Sequence, residues 1–211
     1  MTAETDKRDG VQEPSRFDIK KVEFVKSAVR RDQFPEEKLP QVAFVGRSNV
    51  GKSSLLNTLA NRRQLAHVSS TPGRTQHVNF FRVNDVAFFV DLPGYGFARA
   101  PKSVKGGWEK MITGYLTDNP WLRVIVALFD ARRERTAEDQ AMLDWLAHYQ
   151  IPFIAVLTKI DKLTHSQRLQ AVKKIRAELE PRNPLAVIPF SAQTRQGRDD
   201  LLQAIGPLLA V

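Results

Sequence analysis

The eight residues Gly46–Ser53, GRSNVGKS, constrain this chain more than any other part of its sequence. They fit the pattern G-x-x-x-x-G-K-[ST] and stand between an apolar run, Val42–Val45, and a helical pattern, Lys52–Ala60. Glycines at this spacing let backbone N–H groups wrap around a phosphate, and the following helix N-terminus adds its positive dipole end. Lys52 would reach the β- and γ-phosphates, and the Ser53 hydroxyl would be a ligand of Mg²⁺. The sequence therefore predicts a nucleoside-triphosphate site formed by Gly46, Arg47, Ser48, Asn49, Val50, Gly51, Lys52, Ser53 and Ser54.

Short apolar runs alternate with helical patterns along most of the chain. The runs are Val42–Val45, Val78–Val83, Val86–Val90, Leu122–Phe129, Phe153–Leu157 and Ala186–Pro189, and the helical patterns are Lys52–Ala60, Gly107–Thr117, Ala137–Tyr149, Ser166–Leu179 and Gly197–Leu209. Such runs are typical of strands that crossover helices bury on both faces. They predict a three-layer α/β domain with a mostly parallel six-stranded sheet, in which a hairpin at Asn84-Asp85 supplies one antiparallel strand.

The beginning of the chain has a different pattern. Residues 1–21 are mostly polar, without the apolar segment of a secretory signal, and are predicted to form a flexible arm. Val22–Val29 alternates apolar and polar residues, which predicts an extra N-terminal edge strand. We expect residues 22–211 to form a single domain.

A second motif, DLPG, follows the apolar run Val86–Val90. Asp91 ends the predicted strand, where its carboxylate can hold a water molecule bound to Mg²⁺. The backbone N–H of Gly94 could bond the γ-phosphate, with Leu92 and Pro93 forming the intervening turn. A D-x-P-G turn alone is common, but its position at the end of a buried strand is specific.

The polar loop Ser69–Gln76, between these two motifs, offers hydroxyl groups for the metal. Thr71 and Thr75 are both candidates, and we favour Thr75 because it directly precedes the next strand. Gly73 and Arg74 are expected to contact the nucleotide beside it.

Two later strand ends predict the choice of base. The run Phe153–Leu157 continues into Thr158, Lys159, Ile160 and Asp161, and the last strand leads to Ser191 and Ala192. A carboxylate can accept hydrogen bonds from N1–H and the amino group of guanine, which adenine does not offer together. A backbone N–H at Ser191 or Ala192 would meet the guanine O6, and the aliphatic stem of Lys159 would lie along the base. For Asp161 alone, a helix N-cap is the alternative interpretation.

Charge placement suggests a polyanionic partner. The chain has a formal net charge of +9, residues 62–110 contain eight basic and three acidic residues, and residues 164–182 contain five and two. A basic surface of this kind is typical of nucleic-acid binding, although a solvated helix face gives the same pattern at 164–182. There is no cysteine, and no apolar run is long enough to cross a bilayer, so we expect a cytoplasmic protein that does not contact membranes.

The strings GRSNVGKSS, TPGRTQHVNFF and DLPGYGFA together resemble the EngB (YihA/YsxC) family of P-loop GTPases, in the TrmE–Era–EngA–EngB group. The resemblance runs from about Val22 to the C-terminus. It implies a Ras-like fold and a monomeric GTPase that binds GTP and GDP with Mg²⁺. It also implies action on ribosomal RNA or a pre-ribosomal particle in large-subunit assembly, and a requirement in cell division and septation.

Two positions depart from the Ras-like pattern. Thr158 stands where an asparagine is usual, and Tyr95 follows Gly94 where a glutamine usually orients the attacking water. We therefore expect slow intrinsic hydrolysis, with Lys52, Thr75 and Gly94 as the catalytic groups. Asn49 matches the position that binds an activating K⁺ in related GTPases, and Arg74 is an alternative source of positive charge.

The sequence predicts a molecular switch in which the γ-phosphate orders the loops 62–76 and 91–107. The second loop carries Tyr95, Phe97, Arg99, Lys102 and Lys105, which suit RNA docking in one nucleotide state. Trp108 is expected to pack in the helix that follows. The alternatives are a nucleotide-dependent adaptor for cell-division proteins and a P-loop kinase or ATPase.

Overall fold

A seven-stranded sheet forms the centre of the protein. The computed structural model describes residues 17–62, 65, 77–95, 111–117 and 119–209. The strands are β1 (Val22–Ala28), β2 (Gln41–Gly46), β3 (Val78–Val83), β4 (Ala87–Asp91), β5 (Leu122–Asp130), β6 (Phe153–Thr158) and β7 (Ala186–Pro189). The helices are α1 (Lys52–Leu59), α2 (Ala137–His148), α3 (His165–Leu179) and α4 (Arg198–Leu209), with short 3-10 helices at Arg31–Gln33, Ile160–Lys162 and Glu180–Arg182. Residues 111–116 are also helical.

The strand order is β1-β3-β4-β2-β5-β6-β7. The pairs β1/β3 and β3/β4 are antiparallel, and the remaining four pairs are parallel. The predicted α/β architecture is therefore confirmed, with β3 as the antiparallel strand of a six-stranded core and β1 as the extra edge strand. The parallel strands place their carboxyl ends at one edge of the sheet, and the sequence motifs lie there.

Alternate residues of the central strands enter two separate apolar clusters. Val42 and Phe44 of β2 pack with α1 and α4 on one face, whereas Ala43 and Val45 pack with α2, α3 and the helical residues 111–116 on the other. Helices on both faces explain why the strands are almost continuously apolar. No helix in the described part of the chain combines the length and apolarity needed to cross a membrane.

The segment before β1 belongs to the folded domain. The Asn84 side chain accepts hydrogen bonds from the backbone N–H groups of Lys20 (2.8 Å) and Lys21 (3.0 Å) and donates to the Asp18 carbonyl (2.7 Å). Asn84 and Asp85 have φ values of 50° and 58°, as a two-residue hairpin turn of this hand requires. Ile19 is buried in the core. The predicted arm through residue 21 therefore extended too far, because residues 17–21 are fastened to the hairpin; residues 1–16 lie outside the described residues.

We predict that Gly197→Ala destabilises the protein by about 2 kcal/mol or more. Gly197 has φ 80°, and a Cβ atom there would overlap the Pro189 carbonyl oxygen at the end of β7. Gly114→Ala is the matched control, because Gly114 is exposed in a helical stretch and a Cβ there meets nothing within 4 Å. This second change should stabilise by about 0.5–1 kcal/mol. Urea unfolding measures both, and equal stabilities of the two variants would contradict the prediction.

Candidate functional site

The carboxyl ends of β2, β4, β5 and β6 meet at one edge of the sheet. They end at Gly46, Asp91, Asp130 and Thr158 respectively. The register pairs Asp130 with Thr158, so the polar residues that end β5 and β6 lie side by side, and it pairs Asp91 at the end of β4 with Phe44 of β2. The first two sequence motifs and the Thr158–Asp161 motif are thereby brought together.

The segment between β2 and α1 forms a tight turn that only particular residues can adopt. Asn49 and Gly51 have φ values of 63° and 108°, both left-handed. A Cβ atom at Gly46 would lie 2.8 Å from Val50 Cγ1 and 3.1 Å from the Leu128 carbonyl oxygen. The N-cap residue of α1 is Gly51, which has no side chain to bond the backbone N–H groups of the first turn. We call residues 46–53 the phosphate loop.

Lys52 and Asp91 form a buried ion pair. The Lys52 ammonium contacts the Asp91 carboxylate, and their side chains are 11% and 7% exposed. The contact joins the start of α1 to the end of β4, and Ser53 is the next residue of α1. The edge therefore offers a hydroxyl and a carboxylate oxygen, which are the ligand types that Mg²⁺ prefers.

The chain beyond β4 runs directly along the phosphate loop. Tyr95 N–H donates to the Gly46 carbonyl (3.2 Å), and Ser48 N–H donates to the Tyr95 carbonyl (3.1 Å). A Cβ atom at Gly94 would lie 3.2 Å from both the Gly46 oxygen and the Ser48 nitrogen. A side chain at position 94 would therefore push the two segments apart.

The Tyr95 side chain points into the core and not toward the phosphate loop. It is 5% exposed, and its hydroxyl donates to the Asp139 carboxylate at 2.8 Å. Burial, together with the nearby Asp139 carboxylate, raises the pKa of the Tyr95 phenol well above its usual range, so the phenol remains protonated. Asp139 also belongs to the capping box of α2 with Thr136. In this structure the phenol is bonded to α2.

Thr158 connects the end of β6 to the phosphate loop. Its hydroxyl oxygen lies 2.7 Å from the Val50 carbonyl and 3.1 Å from the Phe129 carbonyl, and the residue is 3% exposed. Thr158, which stands where an asparagine is usual, therefore holds the phosphate loop through the Val50 carbonyl.

Lys159 makes a second connection to the same loop. It has φ 62°, and its ammonium donates to the Asn49 carbonyl (2.7 Å) and to the Asp130 carboxylate (3.0 Å). The positively charged end of Lys159 therefore lies over the phosphate loop, while its stem follows the adjacent strand end.

Asp161 is positioned by the loop after β7. Ser191, which is fully buried, donates its hydroxyl to Asp161 Oδ1 at 2.8 Å. Burial alone would raise the pKa of the Asp161 carboxyl, but hydrogen bonds from Ser191 and Lys162 outweigh it and leave the pKa below its usual value. The carboxylate is therefore ionised at neutral pH and can accept hydrogen bonds from a ligand.

Two alternatives for this region are resolved by the hydrogen bonds. The alternative of Asp161 as a helix N-cap is wrong, because Thr164 caps α3 with Gln167. The Ser191 N–H donates to the Gln196 carbonyl at 3.0 Å, so the N–H of Ala192 is the better candidate for the guanine O6.

Some predicted site residues cannot be placed. Gly73, Arg74 and Thr75, and the switch-loop residues Phe97, Arg99, Lys102, Lys105 and Trp108, lie outside the described residues. The sequence also left Asp130 and Asp139 unassigned. Asp130 ends a buried strand as Asp91 does, and this shared position was the signal that could have identified it. Both residues line a cavity of about 190 Å³ beside the phosphate loop, together with Arg47, Asn49, Arg133 and Lys159.

Comparison with known proteins agrees with this geometry. A family model described as "50S ribosome-binding GTPase" matches residues 41–159. A protein of Heliobacterium modesticaldum, named probable GTP-binding protein EngB, is 47% identical over 187 residues, covering 89% of this chain and 91% of the relative. A protein of the same name from Syntrophus aciditrophicus is 51% identical over 185 residues, covering 87% and 93%.

Solved structures show the same fold. A crystal structure of a probable GTP-binding protein EngB aligns with a TM-score of 0.65 at 24% identity, over 80% of this chain and 98% of the other. Era, in a complex with MgGDPNP and nucleotides 1506–1542 of 16S ribosomal RNA, aligns with a TM-score of 0.64 at 25% identity, over 83% of this chain and 58% of Era. With the phosphate loop, the strand-end motifs and this similarity over most of the chain, the protein belongs to the EngB family of P-loop, GTP-binding proteins.

Proposed function

We propose that the protein is a GTP-hydrolysing switch that acts in the assembly of the large ribosomal subunit, as a monomer in the cytoplasm. The observation that supports a switch best is the packing of Gly94 and Tyr95 on the phosphate loop. Two backbone hydrogen bonds join the start of the 91–107 loop to residues 46 and 48 of the phosphate loop. A phosphate bound in the phosphate loop would therefore act directly on the start of the 91–107 loop. The ribosomal role rests on the description of the matching family model.

The proposed phosphate site uses the phosphate loop and Lys52. The ammonium that pairs with Asp91 in this structure would turn to the β- and γ-phosphates, which carry more negative charge than one carboxylate. Asp91 would then be available to hold water on Mg²⁺, with Ser53 and Thr75 as direct ligands. When bound, Mg²⁺ neutralises charge on the phosphates.

The proposed base site uses Asp161, Ala192 and Lys159. The ionised Asp161 carboxylate would accept hydrogen bonds from N1–H and the amino group of guanine, while Ser191 fixes its orientation from behind. A buried carboxylate that lacks these donors loses hydrogen bonds without replacement, which disfavours adenine.

We propose that intrinsic hydrolysis is slow because the side chain of the residue after Gly94 is buried and bonded elsewhere, although its backbone is bonded to the phosphate loop. The Tyr95 hydroxyl is bonded to Asp139, so no side chain among the described residues occupies the usual place of the water-orienting glutamine. An external positive charge, either K⁺ bound through Asn49 or Arg74, would then have a large effect on the rate.

K⁺ should raise the turnover of GTP at least about tenfold over Na⁺, because a cation near the β- and γ-phosphates offsets developing charge. Asn49→Gly tests the cation site cleanly, since Asn49 is exposed at a left-handed φ of 63° that glycine adopts without strain. We expect Asn49→Gly to lose the K⁺ stimulation while GDP affinity changes by less than about threefold. Phosphate release in matched K⁺ and Na⁺ buffers measures this, and equal rates for the unmodified protein would rule K⁺ out.

The basic surface proposed to contact ribosomal RNA is smaller on α3 than the residue count suggests. On α3, Lys174 pairs with Glu134 and Arg168 donates to Gln196; Arg182, in the 3-10 helix that follows, pairs with Asp144. For Lys173 and Arg176, both exposed, no ion pair is formed with any described residue. We propose these two residues as the α3 contact.

Binding to purified large subunits should require the GTP form and weaken steeply with salt, because phosphate contacts release counterions. Replacing Lys173 and Arg176 together by glutamine should reduce the slope of log K against log salt by about two. Lys174→Gln is the matched control and should leave the slope unchanged, since its ammonium is engaged by Glu134. Co-sedimentation at several salt concentrations gives the slope, and a flat response would favour a protein partner instead.

A further inference from the structure

We infer that Asp130 is a positioning residue for nucleotide binding, because its carboxylate holds the Lys159 ammonium against the phosphate loop. The inference rests on the proposed guanine-nucleotide site, in which the Lys159 stem lies along the base. Asp130 would act without touching the nucleotide, by fixing the one long side chain that joins the base site to the loop.

The geometry links three elements through a single ammonium group. Asp130 is the last residue of β5 and is paired in register with Thr158, the residue before Lys159. Lys159 Nζ donates to Asp130 Oδ2 at 3.0 Å and to the Asn49 carbonyl at 2.7 Å. The Asp130 side chain is 10% exposed, so the ion pair on this side is largely shielded from water.

Lys159 needs such a partner because a lysine side chain is flexible and its ammonium is strongly hydrated. The Asn49 carbonyl alone offers one neutral acceptor, whereas the carboxylate adds a charge. Burial alone would raise the pKa of the Asp130 carboxyl, but hydrogen bonds from Arg132 and Lys159 outweigh it and hold the pKa well below its usual range. Asp130 is therefore charged at neutral pH.

Arg132 provides a control within the same cluster. Its guanidinium donates to both oxygens of Asp130, from Nε at 2.9 Å and from an Nη at 2.8 Å, and its backbone N–H donates to Oδ1 at 3.1 Å. The Arg132 side chain is 38% exposed and does not line the cavity beside the phosphate loop. Its removal should therefore leave Lys159 in place.

The test is the affinity for a fluorescent GDP analogue in four single variants and one double variant. Asp130→Asn keeps the acceptor for the Arg132 N–H but places an amide donor at the atom that bonds Lys159, and should raise Kd roughly tenfold, the worth of one charge-assisted hydrogen bond. Asp130→Glu keeps the charge and has room in the adjacent cavity of about 190 Å³, so it should stay within about threefold of the unmodified protein. Arg132→Gln should stay within about twofold.

Lys159→Met, which keeps the stem and loses the ammonium, separates positioning from a general structural role. In the Lys159→Met background, Asp130→Asn should cause no further loss of affinity, because the interaction that it breaks is already absent. An equal loss in both backgrounds would overturn the inference, as would a Kd for Asp130→Asn that matches Arg132→Gln. If the unmodified protein bound ADP as well as GDP, the proposed guanine site itself would fail, which is a different result.

Discussion

The rest of the site depends on one constraint, which is that residues outside the phosphate loop hold it in place by hydrogen bonds. The loop has left-handed residues at positions 49 and 51, and three of its backbone carbonyl groups are bonded by residues outside it. Thr158 and Lys159 bond the carbonyls of Val50 and Asn49, and Tyr95 N–H bonds the carbonyl of Gly46. The loop is thus held by the two strand ends that carry the base motif and the switch motif.

This arrangement gives the site a physical basis for communication between its parts. Asp161, the residue proposed to determine the base, stands a few residues beyond Thr158, and the proposed switch segment begins at Gly94. The segment that begins at Gly94 is bonded to the phosphate loop, and Asp161 lies close in sequence to Thr158 and Lys159, which are also bonded to it. A change at the phosphates can therefore be transmitted to either segment through few contacts. The Lys52–Asp91 pair adds an electrostatic element, since two largely buried charges satisfy each other in this structure and would be separated by the proposed phosphate and metal.

Much of the fold and of the site could be predicted from the sequence. The strands could be predicted because runs such as Val78–Val83 are short and bounded by turns. The hairpin could be predicted because Asn84-Asp85 is too short a connection for any other arrangement of the two strands. The strand-end motifs were found because parallel strands must bring their carboxyl ends together.

Other features had a weak local signal or none. Tyr95 stands in a glycine-rich motif, and only the packing of α2 shows that its side chain is buried on Asp139. Asp130 ends a strand in a segment rich in arginine, where a solvated ion pair is the simpler interpretation. Residues 17–21 have the polar character of a free segment, yet the Asn84 side chain bonds their backbone. Every residue other than proline carries a backbone donor and an acceptor, so such bonds give no pattern in the sequence.

The most direct test of the account is the displacement of a fluorescent guanine nucleotide by GDP and by ADP, with Mg²⁺, for the unmodified protein and for Asp161→Asn. The account predicts that GDP displaces the probe at least about a hundredfold better than ADP, and that Asp161→Asn loses most of this preference. Equal displacement by ADP and GDP in the unmodified protein would contradict the central claim that these strand ends form a guanine-nucleotide site.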